Sequence, residues 1–507
     1  MFQNLYEYAI ILITISIGLL TLLRWKFSYW SRKNVPFIPG SIPFGSIGNP
    51  FKPSNSLGVL TKIFYQVFKA LGHKHGGFYN LISPIYIPVD PDLVKNILQK
   101  DFSHFVDRGT YHNEHADPLS GHLFAIGGEK WRTLRTKLTP TFTTGKMKMM
   151  FDTLVQCSEP MRMGVEKLTE KKEAVDIKEI VASFTTDVIG SCAFGLDCNS
   201  FKDEEAEFRK NGRRIFQRSK LEFFRFLIFQ SVPNFGQLLN MRFFPKEVTD
   251  FFLNVVKDTV KYRENNNVTR NDMLQLLIEM KNKDKNNNTP TLSVTEIGAQ
   301  AFVFFIAGFE TSSTTMTFCL YELARDPELQ EKVRDEINNV LKKHNNEITY
   351  ESMTEMKYMT QVIEETLRKY PPLTAITRNC VKNYKVPDTD VTIDKGTKVF
   401  IPILGLHHDP EYYPDPEKFD PERFSVENKI NRHPFTYIPF GEGPRICIGL
   451  RFGIMQTKVG LTVLLKNYRF SLNHKSRVSM KVDPYSNSFI YSNQDTVWLD
   501  SERINNS

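Results

Sequence analysis

The chain has 507 residues, 41% of them hydrophobic, with 65 Lys and Arg against 57 Asp and Glu for a net charge of +8. Spread over that length the charge is mild and forms no dense Lys/Arg run, which argues against a nucleic-acid binder and fits a basic docking face or an anionic membrane surface. The six cysteines make no CxxC pair and no tight framework, so a zinc finger and a disulfide-stapled secreted fold are both disfavoured and thiols in a reducing compartment are expected.

Residues 9–23 read AIILITISIGLLTLL, preceded by Glu7 and followed by Arg24, Lys26, Arg32 and Lys33. Tyr6, Tyr8, Trp25 and Phe27 extend this run at both interfaces toward the roughly 20 residues that a bilayer requires. A cleaved signal peptide wants the opposite charge order and small residues after the run, where this chain has Trp25, Phe27, Tyr29 and Trp30. A retained anchor over residues 1–26 is therefore expected. A basic, Pro-rich hinge follows over 27–40, and then one domain over 41–507 with no repeat and no long linker. The positive-inside rule places everything after Arg24 in the cytosol, where the Asn-x-Ser/Thr sequons at Asn267, Asn287 and Asn505 stay unmodified.

Helical periodicity dominates, over 129–138, 208–229, 246–261, 272–281, 327–343 and 358–369, with a polar loop over 281–290. Strand-like alternation is confined to short pieces such as 79–88 and 391–403. The fold class is mainly α with small β-sheets. Phe is abundant, at 40 residues, and Phe223, Phe224, Phe226 and Phe229 form a dense patch. That patch is core, the wall of an apolar ligand chamber, or a surface dipping into the membrane.

Ser293 and Glu296 have capping-box spacing, and from there no proline occurs until Asp326-Pro327, so one helix of about 48 Å is predicted. Its apolar first half implies burial on nearly all sides, yet Gly308, Glu310, Thr311, Ser312 and Ser313 interrupt its centre. Thr311 can bond back to the Ala307 carbonyl and bend the helix, and such a bend can also open a polar notch for a small ligand and a proton relay. Neither reading excludes the other.

Near the C-terminus, FGEGPRICIG (440–449) is a tightly turned loop presenting Cys447 just before a helix starting near Ile448. Backbone N–H groups and the helix N-terminus there favour a thiolate. The other five cysteines read as inert packing. No His-Asn or His-Asp pattern for a cysteine protease is identifiable, and no cluster supplies three further zinc ligands. A lone thiolate in a Phe- and Arg-flanked loop suits an axial ligand to haem iron, with Arg445 pairing a propionate.

This loop matches the haem-binding motif FxxGxRxCxG of the cytochrome P-450 superfamily. Ala307 to Thr311 matches its [AG]-G-x-[DE]-T motif, Glu365 and Arg368 its ExxR, Pro421 to Phe424 its PERF meander, and Trp131 to Arg135 its WxxxR. The order is the family's, from about Pro36 to the end. In finer detail the chain resembles insect microsomal members of the clan that handles plant toxins and insecticides. The resemblance implies that the long helix and the cysteine loop sandwich haem b. Cys447 would be the axial thiolate, with Phe440 beside its sulfur. Trp131, Arg135, Arg378 and Arg445 would hold the propionates, and Thr311 with Glu310 would relay protons. Glu365, Arg368 and Arg423 would form a buried structural network. Phe302, Phe305, Ala307, Leu373, Thr374 and Ile376 would be pocket wall.

The implied activity is mono-oxygenation of apolar small molecules, xenobiotics among them, with dioxygen and NADPH-derived electrons. The implied setting is the endoplasmic reticulum membrane, contacting lipid, with NADPH–cytochrome P-450 reductase and a b-type cytochrome as partners. Lys130 and Lys137, seven apart on one helix face, would meet an acidic reductase. Alternatives are the same chemistry on a hormone or lipid, a haem-thiolate isomerase or dehydratase, and a non-catalytic ligand-binding protein. The Glu310-Thr311 pair argues against the isomerase, which has no use for oxygen-directed proton delivery.

Overall fold

A computed structural model describes residues 2–203, 207–216, 222, 225, 228–229, 233–286, 292–478, 480–485 and 490–504. Helix α1 (Phe2–Phe27) has a mean hydropathy of 1.9 over Tyr6–Phe27, and none of that stretch is buried. Apart from Phe27, which packs on Tyr79 at 4.9 Å, its apolar side chains are not buried, and Arg24 and Lys26 close its last turn, so it fits a membrane anchor. The stretch expected as a hinge is docked on the body. Trp30 is buried and donates from Nε1 to the Phe78 carbonyl at 3.1 Å, and the Ile38 N–H donates to the Gly77 carbonyl at 2.9 Å.

The body is built from helices α2 (Leu57–Ala70), α3 (Gly128–Leu138), α4 (Thr144–Glu170), α5 (Ile177–Ile189), α6 (Glu207–Phe216), α7 (Lys246–Asn266), α8 (Met273–Asn286), α9 (Val294–Arg325), α10 (Pro327–Lys343), α11 (Lys357–Lys369) and α12 (Leu450–Asn467). Its short strands are β1 (His75–Asn80), β2 (Ser83–Pro88), β3 (Val175–Asp176), β4 (Ile376–Asn379), β5 (Tyr384–Lys385), β6 (Thr392–Ile393), β7 (Lys398–Ile401), β8 (Tyr468–Leu472) and β9 (Trp498–Arg503). One sheet has the order β1-β2-β7-β4, antiparallel except for the parallel β2–β7 pair, in which Ile85 faces Lys398. A second has the order β3-β9-β8, and β5 pairs with β6.

The strand expected over 79–88 is in fact a hairpin turning between Asn80 and Ser83, with Leu81 at a φ of 51°. Alternation through Tyr79 to Pro88 runs on across that turn and hides it. Helix α4 was not among the expected helices, and it carries Pro160 in its interior. The helix expected over 208–229 is described as α6 ending at Phe216, and most of its remainder lies outside the described residues.

Helix α9 is the spine. Ser293 Oγ accepts the Glu296 N–H at 3.1 Å while Glu296 Oε2 accepts the Ser293 N–H at 2.9 Å, which completes the capping box. The helix packs on α5, α7, α11 and α12 at the centre of a large helical core. Although it is apolar enough to span a membrane, 67% of its apolar window is buried, which marks it as a core helix. At Gly308 a Cβ would press into the Ile189 side chain, so glycine lets α5 cross tightly over the centre of α9. A second core covers the first sheet and α2.

Candidate active site

A cavity separates the middle of α9 from the loop before α12. Val303, Phe304, Ala307, Thr311 and Thr315 form its wall on α9, a stripe at helical spacing. Phe440, Cys447 and Ile448 face them across the void, with Leu123 and Phe124 at one side and Leu373 and Ile376 at another. Of the expected wall residues, Ala307, Leu373 and Ile376 are on the cavity. Phe302, Phe305 and Thr374 are not among its lining. Phe302 packs on Phe244 and Phe252, and Phe305 packs on Phe208 and Phe252, because both point from the far side of α9. Thr374 is buried against Gly58.

The cysteine loop owes its shape to glycine. Gly441 and Gly443 have φ near +72° and +73°, and a Cβ on Gly443 would collide with the Leu98 carbonyl. The Cys447 N–H then donates to the Phe440 carbonyl at 2.9 Å, and the accessible part of Cys447 opens onto the cavity. Enclosure pushes its thiol above the ordinary value, while the Gly449 N–H, Arg108 and Arg135 pull the other way. The backbone N–H contribution expected of this loop is present, and enclosure opposes it in the protein by itself. Among the other cysteines, burial raises Cys157 and Cys319 to about 12 and Cys380 to about 11, as inert packing thiols.

The cavity edge is cationic. Arg108, Arg135, Arg378 and Arg445 converge there, and the Arg445 guanidinium lies 4.1 Å from the Trp131 ring centroid. Arg135 donates to the Ile446 carbonyl at 2.8 Å, Arg108 to that of Arg445 at 3.2 Å, and Arg445 to that of Ile126 at 2.9 Å. Arg378 Nε and Arg445 Nε and Nη1 are buried with no hydrogen-bond partner. Among the described residues the only carboxylate in ion-pair range is Asp107, 3.9 Å from Arg445. Burial, then mutual repulsion, pushes Arg445 down to about 9 and Arg378 well below its usual value, and burial pushes Arg108 down to about 10. Orphaned donors on clustered cations call for anionic acceptors, so the site fits a planar cofactor bearing carboxylates. Arg108 is the site residue that sequence reasoning missed. It sits in an irregular stretch with no periodicity or spacing to mark it.

Thr311 faces the cavity and its Oγ1 donates to the Ala307 carbonyl at 2.5 Å, so the helix-bending bond is present at the very residue expected in the relay. Glu310 is not on the cavity. Its Oε1 accepts from Lys178 Nζ of α5 at 2.8 Å, and Lys178 also donates to Ser313 and Thr314 at 3.0 and 2.9 Å. Glu365 and Arg368 are both fully buried on α11. Arg368 Nε and Nη2 donate to the carboxylate at 2.7 and 2.8 Å, and Arg423 lies 3.6 Å from it.

Lys130 is exposed on α3, an ion-pair partner of Glu114 and 4.0 Å from Glu296. Of the phenylalanine patch, Phe223, Phe224 and Phe226 lie outside the described residues, and Phe229 stacks on Tyr111 at 4.6 Å, away from the cavity.

A mainly α body, a long central helix and a cysteine loop across one cavity define a haem-thiolate protein. The family model of cytochrome P-450 matches residues 48–494. Probable cytochrome P-450 6a13 of Drosophila melanogaster is 43% identical, covering 98% of this chain and 98% of its own length. Probable cytochrome P-450 6a23 of the same species is 46% identical over 91% of this chain and 93% of its own. Cytochrome P-450 6A1 of Musca domestica is 40% identical, covering 92% of each. The chain belongs to the cytochrome P-450 family. It is accordingly a monooxygenase whose cofactor is haem with a cysteine thiolate ligand, supplied with electrons by redox partners and acting on apolar substrates.

Proposed function

We propose that this protein oxidises apolar xenobiotics such as plant toxins and insecticides, taking electrons from NADPH–cytochrome P-450 reductase, with a b-type cytochrome as a second donor. The observation that carries the reading is the pairing of Cys447 with Thr311 across an apolar cavity edged by four guanidiniums, three of which (Arg108, Arg378 and Arg445) carry buried unpaired donors. Cys447 would hold the iron, and Trp131, Arg108, Arg135, Arg378 and Arg445 would hold the propionates. Haem bound in this way supplies the activation of dioxygen and the transfer of one oxygen atom to a C–H or C=C bond. The chain's part is to exclude water with Val303, Phe304, Leu373 and Ile376, and to deliver protons. Thr311 Oγ1 would pass a proton into the cavity, and Glu310 Oε1 would resupply it once released from Lys178. Incubation with reductase, NADPH and a panel of plant toxins, insecticides, hormones and fatty acids tests this. Oxygen and NADPH consumption matched to oxidised toxin supports it. Turnover without either reagent would make the protein an isomerase or dehydratase.

Thr311→Ala separates relay from bend. With proton delivery lost, NADPH is still consumed, peroxide rises, and product falls by about 10²-fold or more, as general acid–base groups are worth. Unchanged product per NADPH in a less stable protein would leave Thr311 as a bend alone.

The anchor and its basic flank further support a position on the endoplasmic reticulum membrane with the body cytosolic. Asn267, on the last turn after α7, should then carry no glycan, as Asn287 and Asn505 should not. A glycan on Asn267, read by mass spectrometry of the mature protein, overturns that orientation.

A further inference from the structure

Gln300 is an amide in the most apolar stretch of α9, flanked by Ala299 and Ala301 and only 1% exposed. A buried amide persists only if its hydrogen bonds are satisfied. Its Oε1 accepts the Leu123 N–H at 2.9 Å, and its Nε2 donates to the Gly121 carbonyl at 3.4 Å. A few residues on, the Ile126 carbonyl accepts from Arg445 at 2.9 Å. The stretch 121–126 is thus a strap pinned at one end to α9 and at the other to the cysteine loop. Those are the two elements that face each other across the cavity. Between the pins, Leu123 and Phe124 line the cavity, and the Arg108 guanidinium lies 4.0 Å from the Phe124 ring centroid.

We infer that Gln300 is a positioning residue for substrate, fixing how far the Leu123–Phe124 wall stands over the Cys447 side. The inference rests on the cavity being the haem site. Gln300 touches neither haem nor substrate. It acts through the backbone of Leu123, and the Arg445 pin leaves the haem edge in place when Gln300 is changed.

Gln300→Met keeps length and removes both hydrogen bonds, and Gln300→Glu restores the acceptor for the Leu123 N–H. Hydrogen exchange over the strap reads the anchor directly, with or without haem. The Leu123 amide should be slow in the unmodified protein, about tenfold faster or more in Gln300→Met, and slow again in Gln300→Glu. In the holoenzyme, absorption titrations compare 4-phenylimidazole, which reaches the wall, with imidazole, which does not. Gln300→Met should weaken the former about tenfold while leaving the latter within about twofold, and Gln300→Glu should recover the former. A fast Leu123 amide in the unmodified protein overturns the proposal even where Gln300→Met does not fold. Equal loss of both ligands also overturns it, since that places the effect on the haem pocket as a whole. A ferrous–CO complex of the unmodified protein without the thiolate band would sink the haem reading instead, while the exchange result still decides whether Gln300 anchors the strap.

Discussion

Cys447→Ser should yield protein that either retains little haem or binds it without the strongly red-shifted ferrous–CO band of a thiolate ligand. The change is nearly isosteric, and the loop is held by backbone contacts that it leaves alone: the Cys447 N–H on the Phe440 carbonyl, and the glycines at 441 and 443. Loss of the spectrum therefore reports on the ligand atom and not on a collapsed loop. The electrostatics decide the outcome. Enclosure already disfavours an anion at this position, and the Gly449 N–H with Arg108 and Arg135 only partly offsets it. A thiol, ordinarily titrating near 8.5, is brought to its charged form by a bound metal ion. A serine hydroxyl is far less acidic, so the same surroundings leave it neutral and a weak donor. A variant that kept the thiolate band would show that another residue holds the iron.

How much of this was legible in the sequence depends on whether the signal was local. The capping box of α9, the Thr311 bond to the Ala307 carbonyl and the Glu365–Arg368 pair are set by spacings of three and four residues, and each appears in the structure as read. Helix α10 likewise matches its expected bounds, because Asp326-Pro327 fixes its start. Contacts between distant segments were not legible. Arg108 joins Arg445 from 337 positions away, and Lys178 takes Glu310 from 132 positions away. No periodicity carries such information. The facing of Phe302 and Phe305 failed for a related reason. Every residue of that apolar stretch looks equally like wall until neighbouring helices decide which side is core and which is cavity.

Arg368→Ala should cost about 3–5 kcal/mol, the usual range for stranding a buried charge, against a total stability of about 5–15 kcal/mol. Arg368 never meets the cavity, yet its loss should empty it of haem, because its donors extend well beyond Glu365. Nη1 donates to the His407 carbonyl at 2.9 Å and Nη2 to the Pro416 carbonyl at 2.8 Å, which tie α11 to the segment leading into the meander. The His407 ring in turn accepts the Ile438 N–H on Nε2 at 3.0 Å, and burial keeps that imidazole neutral by holding its pKa well below the usual value. Ile438 is two residues before Phe440, whose carbonyl takes the Cys447 N–H. One continuous set of bonds therefore runs from Glu365 to the backbone of the ligand loop. Arg368→Lys should not rescue it, since an ammonium cannot span the carboxylate and two separate carbonyls with a fixed fork. Both variants should melt at lower temperature and carry less haem per chain than the unmodified protein, with the alanine variant worse. Should Arg368→Lys retain full haem and melt within about 1 °C of the unmodified protein, a shift worth roughly 1 kcal/mol for a chain of this length, the network would be packing and not the support of the cysteine loop.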